Sequence, residues 1–127
     1  MSEIVLDASA LMAVLREEPG AAGVEAVLDD AAISTVNLSE VQAKLVERGS
    51  PAEAAWSWLV DLDLDVVDFD ASQARVAGNL GPLTRAHGLS FGDCACLALA
   101  QILGVPALTA DRAWAGLKLG IAIRTIR

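Results

Sequence analysis

Four acidic residues, Asp7, Glu40, Asp93 and Asp111, each stand where an apolar, strand-like run or a capping signal hands over to a helical pattern. The stretches are EIVLDASA (3–10), ISTVNLSEV (33–41), LSFGDCACLALA (89–100) and VPALTADRAW (105–114). In open α/β sheets the functional crevice lies outside the carboxyl ends of the strands, so these separated segments are expected to converge on one cleft. Carboxylates gathered there suggest a metal site. Ser9 beside Asp7 and Thr109 before Asp111 add neutral oxygens able to ligate a metal or to hold a metal-bound water, a hard-oxygen environment that magnesium favours. Two like charges about 4 Å apart repel by roughly 1 to 4 kcal/mol at effective dielectrics of 80 to 20. A divalent cation relieves that repulsion, lowers the pKa of bound water and stabilises charge on an attacked phosphate.

Each acid also has a plainer local reading. Ser90-Phe91-Gly92-Asp93 matches the Ser-x-x-acid capping pattern, and Asp93 is the only acid of a helix that is apolar nearly all round from Cys94 to Leu103. Leu38, Val41, Leu45 and Val46 form an apolar stripe that leaves Glu40 pointing roughly opposite, towards solvent. There it can join Asn37 in a capping arrangement or pair with Lys44 one turn on. A first-turn residue facing away from the core also overhangs the cleft. Taken singly, Asp7 and Asp111 read as cap or turn formers. All four acids at strand-to-helix junctions are less easily explained that way.

Other side chains carry less weight. His87 is expected at an exposed helix end, and Arg16, Arg85 and Arg112 read first as solvated surface charge, with RNA phosphate contact as the functional alternative. Trp56 and Trp58 share a helix whose apolar residues either complete the core or face a partner.

The elements that must position the acids alternate. Strands are expected near 3–7, 31–36, 65–69, 106–110 and 121–126, and helices near 9–17, 20–30, 37–48, 52–62, 70–86, 90–103 and 112–117. Pro19-Gly20, Gly49-Ser50-Pro51, Gly88 and Gly104 with Pro106 supply the breaks. Such alternation favours a largely parallel sheet covered on both faces. No linker, low-complexity tract or repeat marks a second domain, so residues 1–127 are read as one.

Composition is consistent with a large core. Of the 127 residues 54% are hydrophobic, and the longest apolar run, 94–100, falls far short of the ~20 residues that span a bilayer. No membrane span or secretory signal is read. Cys94 and Cys96 are expected to be free thiols in a cytoplasmic core. The net charge of −8 argues against a broadly basic nucleic-acid surface. An acidic protein can still act on a phosphodiester when cations bridge its carboxylates to the phosphate.

The segments IVLDASALMAVL, STVNLSEVQAKL, LSFGDCACLALA and LTADRAW, spread over nearly the whole chain, resemble those of the PIN-domain ribonucleases, and within them the VapC toxins of bacterial toxin–antitoxin pairs. Asp7, Glu40, Asp93 and Asp111 fall on that family's four acidic positions, and Thr109 on its hydroxyl position. The resemblance implies a PIN-like three-layer α/β/α sandwich around a mostly parallel sheet of four or five strands. It also implies magnesium- or manganese-dependent cleavage of RNA, a homodimer, and inhibition by a cognate VapB-type antitoxin protein. Asp7, Asp93 and Asp111 would be direct or water-mediated ligands, and Glu40 a ligand or a water-positioning group. Two competing classes fit less well. A phospho-signalling receiver needs an acidic pair near the first strand and a Lys near the last. Asp7 has no acidic neighbour, and IAIRTIR has no Lys. An Asp-x-Asp phosphatase would need an acid where Ser9 stands. A PIN fold kept only for RNA or protein binding would not need the full acidic set.

Overall fold

A computed structural model of the chain describes residues 1–127. The elements run β1 (Ile4–Leu6), α1 (Ala8–Leu15), α2 (Ala21–Glu25), β2 (Ala31–Ser34), α3 (Thr35–Glu47), α4 (Ala52–Asp61), β3 (Asp65–Val67), α5 (Ala71–Thr84), α6 (Phe91–Leu103), β4 (Ala107–Thr109) and β5 (Ile123–Thr125). Short 3-10 turns stand at Leu28–Asp30, Arg85–His87 and Arg112–Gly116. The five strands form one sheet in the order β3-β2-β1-β4-β5, every neighbouring pair parallel.

Alternation along the strands sorts their side chains between two layers. Val5, Ala32 and Ala107 point to one face, where they pack with Ala77 and Leu80 of α5 and with Leu97 and Leu99 of α6. Ile4, Leu6, Ala31 and Leu108 point to the other, against Ala10 of α1 and Val24 of α2. A third cluster joins Leu11 and Met12 of α1 to Leu38 and Val41 of α3 and Leu59 of α4 beside Ile33. The result is the three-layer α/β/α sandwich expected, with all five strands parallel. β1 is buried on both faces because it is the middle strand, and its residues Ile4, Val5 and Leu6 are all apolar.

Two helices are shorter than their apolar patterns predict. The stretch 20–30 breaks after Glu25 and continues only as a 3-10 turn, since Asp29 and Asp30 would sit at a helix carboxyl end, where negative charge opposes the dipole. The stretch 112–117 makes a single 3-10 turn ending at Gly116, too few residues to offset helix nucleation.

Gly20 closes the turn into α2 with φ +94°, and a Cβ there would run into the carbonyl oxygen of Ile126 and lie 2.9 Å from its carbonyl carbon. Gly49 has a similar φ of +100° but open space around it. Gly20→Ala is therefore expected to cost about 2 kcal/mol or more, through strain plus overlap, and Gly49→Ala only about 1 kcal/mol, through strain alone. Urea midpoints of the two variants check this, and equal losses would show that the packing against Ile126 contributes nothing.

Candidate active site

A chain wound from β1 outward through β2 to β3 must return across the sheet to place β4 on the other side of β1, so the order reverses between β1 and β4. At that switch point, beyond the carboxyl ends, lies the expected crevice. Asp7 directly follows β1 and caps α1, accepting the Ala10 N–H at 2.8 Å. It is only 4% exposed. The Thr109 hydroxyl, at the end of β4, donates to Asp7 Oδ2 at 2.6 Å, and the Ser9 hydroxyl lies 2.7 and 2.9 Å from the two carboxylate oxygens. Burial pushes the Asp7 pKa up, the hydrogen bonds from Thr109, Ala10 and Ser9 oppose that rise without cancelling it, and the charge of Asp93 adds to it.

The same hydroxyls stitch the two strand ends together. Ser9 Oγ accepts the Ala110 N–H at 2.9 Å, and Thr109 Oγ1 accepts the Asp111 N–H at 3.0 Å. Asp111 caps the 3-10 turn through the Ala113 N–H at 2.9 Å and is exposed. Ser9 and Thr109 thus orient the acids rather than lie apart from them.

Glu40 and Asp93 arrive from helices. Asp93 closes a capping box at the start of α6: its Oδ2 accepts the Ser90 N–H at 2.9 Å while its own N–H reaches Ser90 Oγ at 3.2 Å. Glu40 is half-buried, and it neither pairs with Lys44 nor belongs to a cap, because Ser34 caps α3 through the Val36 N–H. Its carboxylate turns instead against Gly92 of α6 and accepts from Asn37 Nδ2 at 2.9 Å. Periodicity on one helix misplaced this side chain because α6 covers what would otherwise be solvent.

Asp7, Glu40 and Asp93 share one neighbourhood: all three carboxylates act on the buried Cys96 thiol, whose pKa burial raises first and their charges raise further. Asp111 stands at the rim, joined to Asp7 through Thr109. No Lys, Arg or His side chain pairs with any of the four; the chain's ion pairs are Arg16–Glu18 and Arg127–Glu18. The amino-terminal ends of α1 and α6 supply only partial positive charge. As they stand, no three of these carboxylates close on a common point. The donor set, acidic oxygens and hydroxyls without sulfur or imidazole, fits a hard divalent cation.

The remaining expectations divide. His87 and Arg85 are exposed, and Arg112 donates from Nε to the Arg127 carbonyl at 3.1 Å. Cys94 and Cys96 are buried free thiols. Trp58 packs on the core, whereas Trp56 stays 47% exposed beside a groove of about 410 Å³ that Leu38, Leu59, Val60, Leu64 and Val66 help to line. The sequence reading missed two residues, Asn37 as a buried bridge and Trp114 as the fully buried anchor of the turn after Asp111. A large aromatic three residues beyond an acid was the available signal for Trp114. The strand order also excludes the receiver alternative, whose sheet runs 2-1-3-4-5 and seats strand three beside strand one.

The family model described as the PIN domain matches residues 4–118. A ribonuclease VapC of Mycolicibacterium smegmatis is 32% identical, over 83% of this chain and 88% of that protein. Among solved structures, the fold is similar to DNA-bound VapBC of Salmonella typhimurium, with a TM-score of 0.76 at 18% identity over the whole of both chains. A toxin–antitoxin complex from Klebsiella pneumoniae gives a TM-score of 0.73 at 17% identity over 98% of each chain.

Because the Asp7 pKa in the folded chain lies above the usual 3.8, its stabilising contribution is complete only below the unfolded-state value and is lost as pH rises through the folded one. At pH 7 the ionised carboxyl therefore opposes folding. Asp7→Asn keeps an acceptor for the Ala10 N–H and removes the charge. Without divalent ions the variant is expected to melt a few degrees above the parent at pH 7, roughly what 1 kcal/mol is worth in a domain of this size. The advantage should shrink as pH falls towards 4. Thermal melts across that range check the sign, and a lower melting point at pH 7 would make Asp7 chiefly a cap.

Proposed function

Because the chain belongs to the PIN domain family, and within it to the VapC ribonucleases, we propose that it is a metal-dependent endoribonuclease toxin restrained by a VapB-type antitoxin. The observation that carries the catalytic reading is that Asp7, Glu40 and Asp93 stand around the sheet's switch point, Glu40 against Gly92 and so next to Asp93 in sequence, with no protein cation to neutralise them. Asp7, Asp93 and Asp111 would hold magnesium, or manganese in its place. The ion supplies a lowered pKa for water and a counter-charge for the scissile phosphate. Ser9 and Thr109 hold the Asp7 carboxylate in one orientation, so that it need not reorganise when RNA arrives. Glu40 would orient the attacking water through the oxygen not engaged by Asn37.

Partners follow from the relatives and from the surface. The Klebsiella pneumoniae neighbour is a toxin–antitoxin complex. The apolar groove beside Trp56 would accept a helical segment of the antitoxin or of a second copy in a homodimer. With a net charge of −8, the chain would attract a basic side chain of the inhibitor, and binding should weaken as salt rises. No helix is long and apolar enough to cross a membrane, and work in the cytoplasm, where RNA and antitoxin meet the toxin, belongs to this reading.

Asp93→Asn tests the mechanism, since asparagine still accepts the Ser90 N–H and preserves the cap. Cleavage of RNA by this variant should fall by at least the 10- to 100-fold typical of damaged metal sites. The parent should lose activity in excess chelator and regain it with magnesium. Undiminished cleavage by the variant or in chelator would defeat the metal mechanism. Co-expression with the product of the adjacent gene should silence the same activity, and a chain that ignores that product would defeat the toxin assignment alone.

A further inference from the structure

Asn37 lies in the first turn of α3 and is 1% exposed, although it carries two polar atoms. Its Nδ2 donates to Glu40 Oε1 at 2.9 Å on its own helix and to the Gly92 carbonyl at 3.0 Å on α6. The orientation is unambiguous, since both neighbours are acceptors and only the NH2 end can face them. The other end, Oδ1, is buried with no partner, which opposes folding. An apolar side chain would join α3 to α6 without that cost, so packing alone does not explain an amide here.

The opposite side of Glu40 is equally confined. Its carboxylate rests directly over the Cα of Gly92, and a Cβ there would overlap both carboxylate oxygens and the carbon between them. Glu40 is therefore held between the Asn37 amide and a stretch of helix backbone that only glycine leaves bare. The next residue is Asp93, itself fixed by the capping box with Ser90. One amide thus spans Glu40 and the turn that carries Asp93.

The geometry points to Asn37 as a positioning residue of the cleavage reaction, its amide holding the Glu40 carboxylate against the first turn of α6 at a set distance from Asp93. This rests on the nuclease reading above. Without the clamp, Glu40 is a half-buried glutamate packed against the residue before Asp93, and repulsion would turn it outward.

The test has a kinetic and a metal-free part. Asn37→Ala and Asn37→Asp, which removes the donor while keeping the shape, should lower kcat by about tenfold to a hundredfold, the scale set by misplacing a catalytic group by about 1 Å. KM for an RNA oligonucleotide should change little, because the residue is buried away from substrate. Gly92→Ala should give the same kcat loss with Asn37 intact, by pushing Glu40 from the other side. In the metal-free protein, the side-chain amide resonances of Asn37 should be protected from solvent exchange, and should shift upfield in Glu40→Gln but not in Asp111→Asn. Wild-type kcat in Asn37→Ala, even with a lower melting temperature, would overturn the proposal and leave Asn37 a helix-to-helix spacer. So would amide resonances indifferent to Glu40. If the parent chain cleaves no RNA the nuclease reading fails, while the amide measurement still decides whether the clamp exists. That measurement needs no Asn37 variant to fold.

Discussion

Negative charge without a protein counter-ion, gathered at the carboxyl edge of the sheet, is the constraint around which this structure is organised. Asp93 adds to the rise of the Asp7 pKa and all three acids, Asp7, Glu40 and Asp93, act on the buried Cys96 thiol, yet none is paired with a Lys, Arg or His. The fold tolerates them by spending neutral donors instead: the Ala10 and Ser90 N–H groups, the Ser9 and Thr109 hydroxyls and the Asn37 amide. Donors of that kind orient a carboxylate without cancelling its charge. The charge therefore remains available to a cation, at the expense of stability when none is bound.

Capping by Asp7, Asp93 and Asp111 does not compete with the metal role proposed for them, for one physical reason. A parallel α/β sheet delivers helix amino termini to the same edge as strand carboxyl ends, and exposed N–H groups there bind anions whether these are caps or ligands. Asp7, Asp93 and Asp111 are caps in this structure and are also the residues proposed to hold the metal. A capping carboxylate uses some of its lone pairs on the backbone and keeps others free. Capping thus fixes where the ligand points. Glu40 caps nothing, and its orientation has to come from elsewhere, through Asn37 and the bare backbone of Gly92.

An acidic chain that cuts RNA meets its substrate under unfavourable long-range electrostatics. With a net charge of −8 and basic residues dispersed, affinity for phosphates has to be local, which the proposed bridging cations would supply. The same field suits recognition of a basic inhibitor. The largest cavity, about 590 Å³ among Glu3, Asp65, Pro106 and Arg124, lies at the opposite edge of the sheet from the acids, which fits a site open to a polymer rather than enclosed around a small molecule.

Sequence alone determined the layer architecture and marked the four candidate acids, because both depend on short-range patterns. Apolar runs alternate with 3.6-residue periodicity, and the strand ends carry Asp7 and Thr109-Ala110-Asp111 within a few residues. It also predicted the Ser90–Asp93 cap, which is a local hydrogen-bonding motif. Tertiary structure alone decided the rest. The order of strands around β1 is set by how helices cross the sheet, and no periodicity encodes it. Glu40 reads as solvent-facing on its own helix and becomes half-buried only because α6, fifty residues later, presents a glycine to it. Asn37 reads as a cap and becomes a buried bridge to the Gly92 carbonyl, 55 residues away. Periodicity reports which face of a helix is apolar, but the groups that share a polar contact across two helices are fixed only when those helices pack.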